Sequence, residues 1–408
     1  MFGTMKQWCS MSRRSKILHI ISSWENGVGN ELAAFAARLA PSEFESEICV
    51  LAGTTKRDIP HIPMTTLGQR WTFDVSTYLG VGRVLRRFRP DVIHAWDAAA
   101  QLYGTLHYGT KHVIAEKRDT DSSNGLLQKY PDRKTHRFIV SRKDGTLPTA
   151  KTVLIPPAAV PVPYAEPMPT EKLLEKLDIP AVELSGDYYP VFQPQYEQER
   201  WNYKSMPPHP TPFLIGIILP LRLEHRMLDA LWTFESLNHV HLNYHAFIIG
   251  EGKERETFLR YRDRWKLFSR VHFLGNRSDT DRLLPRFDAL LHLSSSAEYS
   301  GTILSAMSCG VPVVALETPE SREYISDGTS GILIPADGDF RFYRRTAVKK
   351  LLYLLEDEEK RRSIQIAAKD RIVKEFNFDT AVQRRTDVYR ELIGTNPNPT
   401  AVLPLPKQ

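Results

Sequence analysis

The sequence predicts an α/β protein with two domains, each built on a parallel sheet that helices cover on both faces. Short apolar runs alternate with helical patterns along most of the chain, an order typical of parallel sheets. A proline-rich segment at residues 156–212 separates two such series, and 408 residues with 42% hydrophobic composition suffice for two cores.

The first series starts with a buried strand at residues 16–21, a glycine turn at Gly27-Val28-Gly29 and an amphipathic helix at 30–39 that Asn30 caps. A second helix is predicted at 75–88. The remaining apolar runs of this series predict strands at 48–51, 92–95, 113–115, 138–140 and 153–155.

The second series repeats this alternation and predicts strands at residues 213–219, 246–249, 271–274, 289–293, 311–315 and 332–334. A helix is predicted at 380–393. Open α/β sheets bind ligands at the carboxyl ends of their strands, so two sheets in tandem predict a ligand cleft between the domains.

These patterns divide the chain into five parts. We predict an N-terminal Rossmann-like domain at 1–164, a linker with an irregular insertion at 165–210, a C-terminal Rossmann-like domain at 211–379, a helix at 380–394 and a disordered tail at 395–408. The insertion suits an acceptor lid, a dimer contact or a decorated surface loop.

Composition narrows the function classes. The net charge of +6 comes from basic residues interspersed with acidic ones, so nucleic acid is not expected as a partner, whereas phosphate-bearing donors or an anionic membrane surface suit it equally well. The three cysteines, Cys9, Cys49 and Cys309, lack metal-ligand spacing, and we expect a reducing cytoplasm. The apolar run at 17–21 is too short to span a membrane.

The most informative stretch is residues 295–331, SSAEYSGTILSAMSCGVPVVALETPESREYISDGTSG. Here a strand ends at Glu298, helical spacing covers 301–309, a turn follows at 310–312, and an apolar strand covers 313–315. The helix would aim its first amides toward Glu298, and such an N-terminus favours a phosphate.

This order resembles the carboxyl-terminal half of the group 1, or family 4, retaining glycosyltransferases, which have the GT-B fold of two Rossmann-like domains. The residues that match the family motif are Ser295, Glu298, Ala306-Met307, Gly310, Pro312-Val313-Val314-Ala315, Glu323, Asp327-Gly328 and Gly331. The resemblance implies transfer of a sugar, with retention, from a nucleoside-diphosphate-sugar to a glycan, lipid-linked or small-molecule acceptor. It also implies that the domain at 1–164 presents the acceptor and the domain at 211–379 binds the donor. No cofactor, no metal, and a last helix that crosses back to the first domain are implied as well.

The resemblance assigns donor-binding residues at the ends of three strands. Arg222 and Arg226 would hold the diphosphate, since guanidinium groups make charge-assisted contacts to phosphate oxygens. Gly250, Gly252 and Asn276 would form the rim around the base. Without the family pattern, two arginines near a strand end are ordinary surface charge, and a glycine pair after a strand is common.

Two catalytic residues are implied, Glu298 at the donor sugar and His94 at the end of a strand. A carboxylate at the sugar can stabilise positive charge as the anomeric carbon becomes oxocarbenium-like. His94 is equally compatible with a hydrogen-bonded core residue. Gly301, Thr302 and Ser305 would complete the donor site.

In the first domain, Gly27 and Gly29 resemble the family's glycine-rich acceptor loop, and Lys117 and Arg118 follow a strand where they could hold a phosphate or an acidic acceptor. A plain charged loop is an equal alternative for the last two. Peripheral contact with the inner face of a membrane is compatible with the basic surface.

Three departures from the family pattern leave an alternative open. Ser305 stands where the family has a second glutamate, Pro319-Glu320 replaces a glycine pair, and Pro157-Ala158 replaces an Asn-Gly turn. All three fall on donor-side loops. A catalytically impaired relative that acts as a binding or assembly protein is therefore the second hypothesis.

Overall fold

The computed structural model describes residues 13–24, 27–53, 59–69, 74–107, 112–117, 134–140, 151–155, 158–160, 172–173, 175, 177, 212–240, 243–277, 279–296, 299–336 and 340–394. Most of the predicted insertion, the whole predicted tail, Arg118 and Glu298 lie outside these residues. The chain forms two compact units, the first from residues 1–160 and 377–408 and the second from residues 161–376.

The first unit contains a seven-stranded parallel sheet in the order β3-β2-β1-β4-β5-β6-β7. Its strands are β1 (Ser15–Ile21), β2 (Phe44–Val50), β3 (Met64–Thr66), β4 (Val92–Ala95), β5 (His112–Lys117), β6 (Arg137–Val140) and β7 (Thr152–Leu154). The central strands β1 and β4 are buried on both faces, as expected for a parallel sheet.

The described residues between these strands form three helices, α1 (Gly27–Ala36), α2 (Val75–Phe88) and α3 (Ala98–Leu106). Asp74 caps α2 by accepting from the amide of Ser76, and Asp97 caps α3 by accepting from Ala100. The other Asp97 oxygen accepts from the Ser22 amide at 2.7 Å, so one aspartate joins the chain ends that leave β1 and β4.

Three predictions for this unit are corrected. Helix α1 begins at Gly27 and not at Asn30, because the predicted glycine turn is its first turn. Strand β5 continues to Lys117, two residues past its predicted end. The edge strand β3 was not predicted, since three partly exposed residues leave no apolar run.

The last described helix, αC (Phe378–Ile393), follows the second unit in the sequence but belongs to the first unit. Asn377 caps it by accepting from the Thr380 amide. Its buried face adds Phe378, Val388 and Tyr389 to the apolar core around β1 and β4. Segments far apart in the sequence therefore build one core.

The second unit contains a six-stranded parallel sheet in the order β10-β9-β8-β11-β12-β13. Its strands are β8 (Phe213–Ile218), β9 (Tyr244–Ile249), β10 (Val271–Gly275), β11 (Ala289–His292), β12 (Val313–Leu316) and β13 (Ile332–Ile334). The prediction of two parallel-sheet α/β domains is confirmed.

The helices of the second unit are α4 (Met227–Val240), α5 (Arg255–Arg264), α6 (Thr280–Leu283), α7 (Gly301–Cys309), α8 (Pro319–Tyr324), α9 (Phe340–Glu356) and α10 (Glu358–Glu375). Two 3₁₀ turns at Leu223–His225 and Leu284–Arg286 complete the unit. Strand order reverses between β8 and β11, which makes the loops after these two strands the topological switch point of the sheet.

Candidate functional site

The loops after β8 and β11 form the walls of a pocket in the second unit. Its volume is about 180 Å³, and the lining residues are Arg222, Glu224, His225, Ser295, Ser296 and Tyr299. The switch point of an open α/β sheet is where a ligand site is expected, so the position of this pocket follows from the strand order.

The loop after β8 carries the two predicted arginines. Arg222 precedes the 3₁₀ turn, and Arg226 ends it with a left-handed backbone at φ 55°. The Arg222 side chain is half exposed, lines the pocket, and lies with Nη1 3.3 Å from Oε1 of Glu224. Arg226 belongs to the same turn but is not among the lining residues.

Gly250 and Gly252 let the loop after β9 pack closely against the loop after β8, here called the arginine loop because it carries Arg222 and Arg226. A Cβ atom at Gly250 would lie 2.1 Å from the Leu219 carbonyl oxygen, and one at Gly252 would lie 2.3 Å from the Leu221 carbonyl oxygen. Between them, Glu251 accepts a hydrogen bond from the Leu221 amide at 3.0 Å. The contacts in the structure are therefore backbone contacts that position the arginine loop.

His225 is a residue of the pocket wall that was not predicted from the sequence. Its ring is buried, its Nδ1 lies 2.9 Å from the Ser294 hydroxyl, and it packs edge-to-face on Tyr299 with ring centroids 4.9 Å apart. Burial lowers the pKa of His225, and the nearby Glu224 carboxylate offsets this only in part. The available signal was a histidine between two arginines directly after a strand.

Helix α7 begins beside the pocket, next to Tyr299 and Ser300. Ser300 makes no side-chain cap bond, and no atom of the described residues lies within 4 Å of where a Cβ at Gly301 would be. Thr302 is partly exposed in the first turn. Ser305, one turn later, donates its hydroxyl to the Gly301 carbonyl at 3.1 Å. The first turn of α7 thus has space on its outer side.

The remaining donor-side residues lie at other loops. Asn276 is exposed directly after β10. Pro319 and Glu320 form the first turn of α8, where Thr318 and Ser321 make a capping box. In that box the Thr318 hydroxyl accepts from the Ser321 amide and the Ser321 hydroxyl accepts from the Thr318 amide, so side chains of the loop itself satisfy these donors.

The structure contradicts the prediction that His94 is a catalytic residue. Its side chain has no exposure, its Nδ1 lies 2.6 Å from the Tyr389 hydroxyl, and its Nε2 lies 3.4 Å from Oε1 of Glu116. The cause is that β4 is a central strand and αC covers it. Burial lowers the pKa of His94, which favours the neutral ring. His94 is a core residue.

A buried ion-pair network surrounds His94. Arg385 of αC donates Nε to Glu116 at 2.7 Å and Nη2 to Glu31 at 2.6 Å. Burial opposes ionisation of Glu116, but the Arg385 guanidinium, together with the adjacent His94 ring, overcomes it and holds the pKa of that carboxyl well below its usual range. The network ties αC to β5 and α1.

The other predicted acceptor-loop residues take structural positions or lie outside the described part. Gly27 and Gly29 are in the first turn of α1, and a Cβ at Gly29 would lie 2.5 Å from the Trp24 ring. Lys117 is the last residue of β5 and not part of a loop. Neither its side chain nor Arg118 is among the described residues.

Within the described residues, no group of three or more His, Cys, Asp or Glu side chains could hold a metal ion. A search of the same residues finds no helix with the length and apolar character needed to cross a membrane.

The second unit is similar in sequence to known proteins. Residues 217–357 match the family model of glycosyl transferases group 1. N-acetyl-alpha-D-glucosaminyl L-malate synthase of Bacillus anthracis is 28% identical over 37% of this chain and 38% of its own length. The chain thus matches well under half of that relative. 2-Deoxystreptamine N-acetyl-D-glucosaminyltransferase of Streptomyces fradiae is 23% identical over 80% of this chain and 77% of its own length.

Two solved structures share the fold over most of the chain. HepE of Anabaena, solved in complex with UDP and glucose, superposes with a TM-score of 0.69 at 16% identity and covers 93% of this chain and 100% of its own. WaaG, a glycosyltransferase involved in lipopolysaccharide biosynthesis, gives a TM-score of 0.66 at 14% identity over 91% and 99% of the two chains. The predicted GT-B architecture is confirmed, and residues 217–357 are similar in sequence to the glycosyl transferases group 1.

Proposed function

We propose that this protein transfers a sugar from a nucleoside-diphosphate-sugar donor to a glycan, lipid-linked or small-molecule acceptor, with retention of anomeric configuration. The observation that carries the proposal is the pocket at the switch point of the second unit, where Arg222 and the residues leading to Glu298 share one wall. The group 1 family match covers these same loops.

In the proposed site, Arg222 and Arg226 hold the diphosphate. Guanidinium groups make charge-assisted contacts to phosphate oxygens, and a departing diphosphate gains negative charge as the glycosidic bond breaks. The first turn of α7 supports the same charge, because its amides and the helix dipole favour an anion. The role of Glu298 at the donor sugar comes from the sequence motif, since this residue lies outside the described part of the chain.

Donor turnover tests the proposal. Full-length protein would be incubated with UDP-, GDP- and ADP-sugars, and release of the nucleoside diphosphate followed with and without candidate acceptors. We expect Arg226→Ala to lower kcat/KM by about 100-fold, the scale for loss of one group that stabilises a developing charge. Glu298→Ala should lower kcat at least as strongly.

Arg264→Ala is the matched control, because Arg264 is an exposed arginine on α5 of the same unit. Its turnover should equal that of the wild type. Failure of every donor to bind or react would contradict the proposal. Donor binding without any turnover would also contradict transfer, and would favour the alternative of a binding or assembly protein.

Retention, metal independence and membrane contact are parts of the proposal with their own readouts. The product anomer seen by NMR in the first minutes of reaction should match the donor anomer.

Turnover should persist in excess EDTA, since the diphosphate charge is assigned to arginines and a helix N-terminus. Co-sedimentation with anionic vesicles should exceed that with neutral ones if the acceptor lies at a membrane surface.

A further inference from the structure

The pocket wall holds a buried hydrogen-bond donor that the proposed function has not used, His225. Its side chain is 4% exposed, and its Nδ1 faces the Ser294 hydroxyl at 2.9 Å. Ser294 Oγ also accepts from the Ser296 amide at 3.1 Å. Among the described residues the hydroxyl proton of Ser294 has no other acceptor, so it points to Nδ1 of His225. The proton of the neutral ring then lies on Nε2.

The Nε2 of His225 makes no hydrogen bond to any described residue. Its nearest charged group is the Glu224 carboxylate, with Oε1 at 3.9 Å, beyond hydrogen-bond reach. A buried N–H group without an acceptor is unfavourable, so the position of this one requires an explanation. The Nε2–H group of His225 faces Glu224 on the wall of the pocket that Arg222 also lines.

The Glu224 carboxylate lies between the Arg222 guanidinium and the His225 ring on this wall of the pocket. The same oxygen, Oε1, lies 3.3 Å from Nη1 of Arg222 and 3.9 Å from Nε2 of His225. A carboxylate oxygen between a guanidinium and an imidazole N–H has the position that a phosphate oxygen would take. The Glu224 side chain is 65% exposed, so this ion pair is weak and easily exchanged.

We propose that a phosphate group of the donor replaces the Glu224 carboxylate at this position and accepts hydrogen bonds from Nε2 of His225 and from Arg222. The inference rests on the proposed function, because it assigns the donor diphosphate to this pocket. His225 is then a donor-binding residue, and Glu224 is an internal competitor that reduces affinity for the diphosphate. The tautomer of His225 set by Ser294 makes the imidazole a donor without requiring a positive charge.

The first test removes the competitor. Glu224→Gln takes away one negative charge from the phosphate position and leaves the side chain length unchanged. We expect it to tighten binding of UDP, GDP or ADP, whichever the wild type binds, by about 3- to 10-fold in calorimetry at low salt. Inorganic pyrophosphate is the probe that does not depend on the base. The gain should shrink as ionic strength rises.

Glu256→Gln is the matched control, because Glu256 is an exposed glutamate paired with an arginine, Arg255, in the same unit. It changes the net charge equally and should leave affinity unchanged. Equal effects of the two variants would overturn the inference and would assign the gain to net charge alone. No change in affinity for Glu224→Gln would also overturn it.

The second test separates a binding role of His225 from a positioning role. Asn at 225 can keep the bond to Ser294 but has no atom at the Nε2 position, whereas Gln places an amide near Nε2. We expect His225→Asn to weaken nucleoside diphosphate binding about 10-fold, and His225→Gln to stay within about 3-fold of the wild type. The opposite order would overturn the inference and would make His225 a residue that positions Ser294.

The outcomes for this inference and for the proposed function are distinguishable. A wild type that binds neither the three nucleoside diphosphates nor pyrophosphate would overturn both. A wild type that binds and turns over a donor while the Glu224 and His225 variants bind unchanged would overturn only the inference. Glu224 is exposed, so Glu224→Gln leaves the core intact and gives a result even if a His225 variant fails to fold.

Discussion

Replacing Arg385 by Met tests whether the ion-pair network holds αC in the first unit. The Arg385 side chain is 5% exposed, and its two partners, Glu116 and Glu31, are 7% and 16% exposed. Removal of the guanidinium leaves the Glu116 carboxylate buried without its cation. Breaking a buried pair in this way costs about 3–5 kcal/mol. For a unit of this size we expect a fall in Tm of roughly 6–20 °C.

Calorimetry gives the unfolding transition, and hydrogen exchange of the αC amides shows which unit is affected. Arg384→Met is the matched control, because Arg384 is the adjacent residue and has no ion pair in the part of the chain that the structure describes. Glu116→Gln in the Arg385→Met background should recover about 1–3 kcal/mol, since it removes the uncompensated charge.

The loss of stability in Arg385→Met should depend on pH. The pKa of Glu116 in the folded protein is below its ordinary value of 4.5, so its contribution to stability is full above pH 4.5 and declines as pH falls below it. The deficit of Arg385→Met relative to wild type should therefore narrow as the pH falls below about 4.5. Equal Tm values for Arg385→Met and Arg384→Met at neutral pH would refute the reasoning.

Three further predictions concern single residues. Gly250→Ala should lose about 3 kcal/mol or more, because its Cβ would meet the Leu219 carbonyl and its φ is +143°, whereas Gly328→Ala, with φ +70° and open space, should lose only about 1–2 kcal/mol in urea unfolding. Gly301→Ala should leave Tm within a few degrees, because the added Cβ has open space. It should weaken nucleoside diphosphate binding about 10-fold in calorimetry, since phosphate would approach the first turn of α7. Unchanged affinity would place the phosphate elsewhere. Burial raises the pKa of Cys49 to about 12, so this thiol should resist alkylation at pH 8 until the protein unfolds, and rapid native labelling seen by mass spectrometry would contradict this.

Local patterns predicted the regular elements well. The bounds of α2, α7, β4 and β13 agree with the predictions, because apolar spacing and flanking turn residues are properties of contiguous sequence. The parallel order of both sheets followed from the alternation of strands and helices. The predicted start of helix α1 was three residues too late, because Gly27 and Gly29 indicate a turn. Only the packing of Gly29 against Trp24 explains the place of these glycines in a helix.

Long-range contacts could not be predicted in this way. Glu116 and Lys117 resemble a charged loop, but Glu116 is buried in β5 because its partner Arg385 comes 269 residues later. The positions of two histidines could not be predicted for the same reason: His94 was predicted as a site residue, and His225 was not predicted at all. The Tyr389 hydroxyl and αC enclose His94, whereas the loop after β11 brings Ser294 to His225 and turns that ring toward the pocket.

The division of the first unit into two segments has a consequence for protein synthesis. The ribosome completes residues 1–160 before αC exists, and it must first make the intervening residues 161–376. At ~5–20 residues per second, this interval lasts roughly 10 to 40 s. Throughout that time Glu116 and the apolar surface beneath αC are left without their cover. Nascent chains halted before residue 377 should therefore recruit chaperones and be cleaved by proteases within the first unit, and the full-length protein released from the ribosome should not.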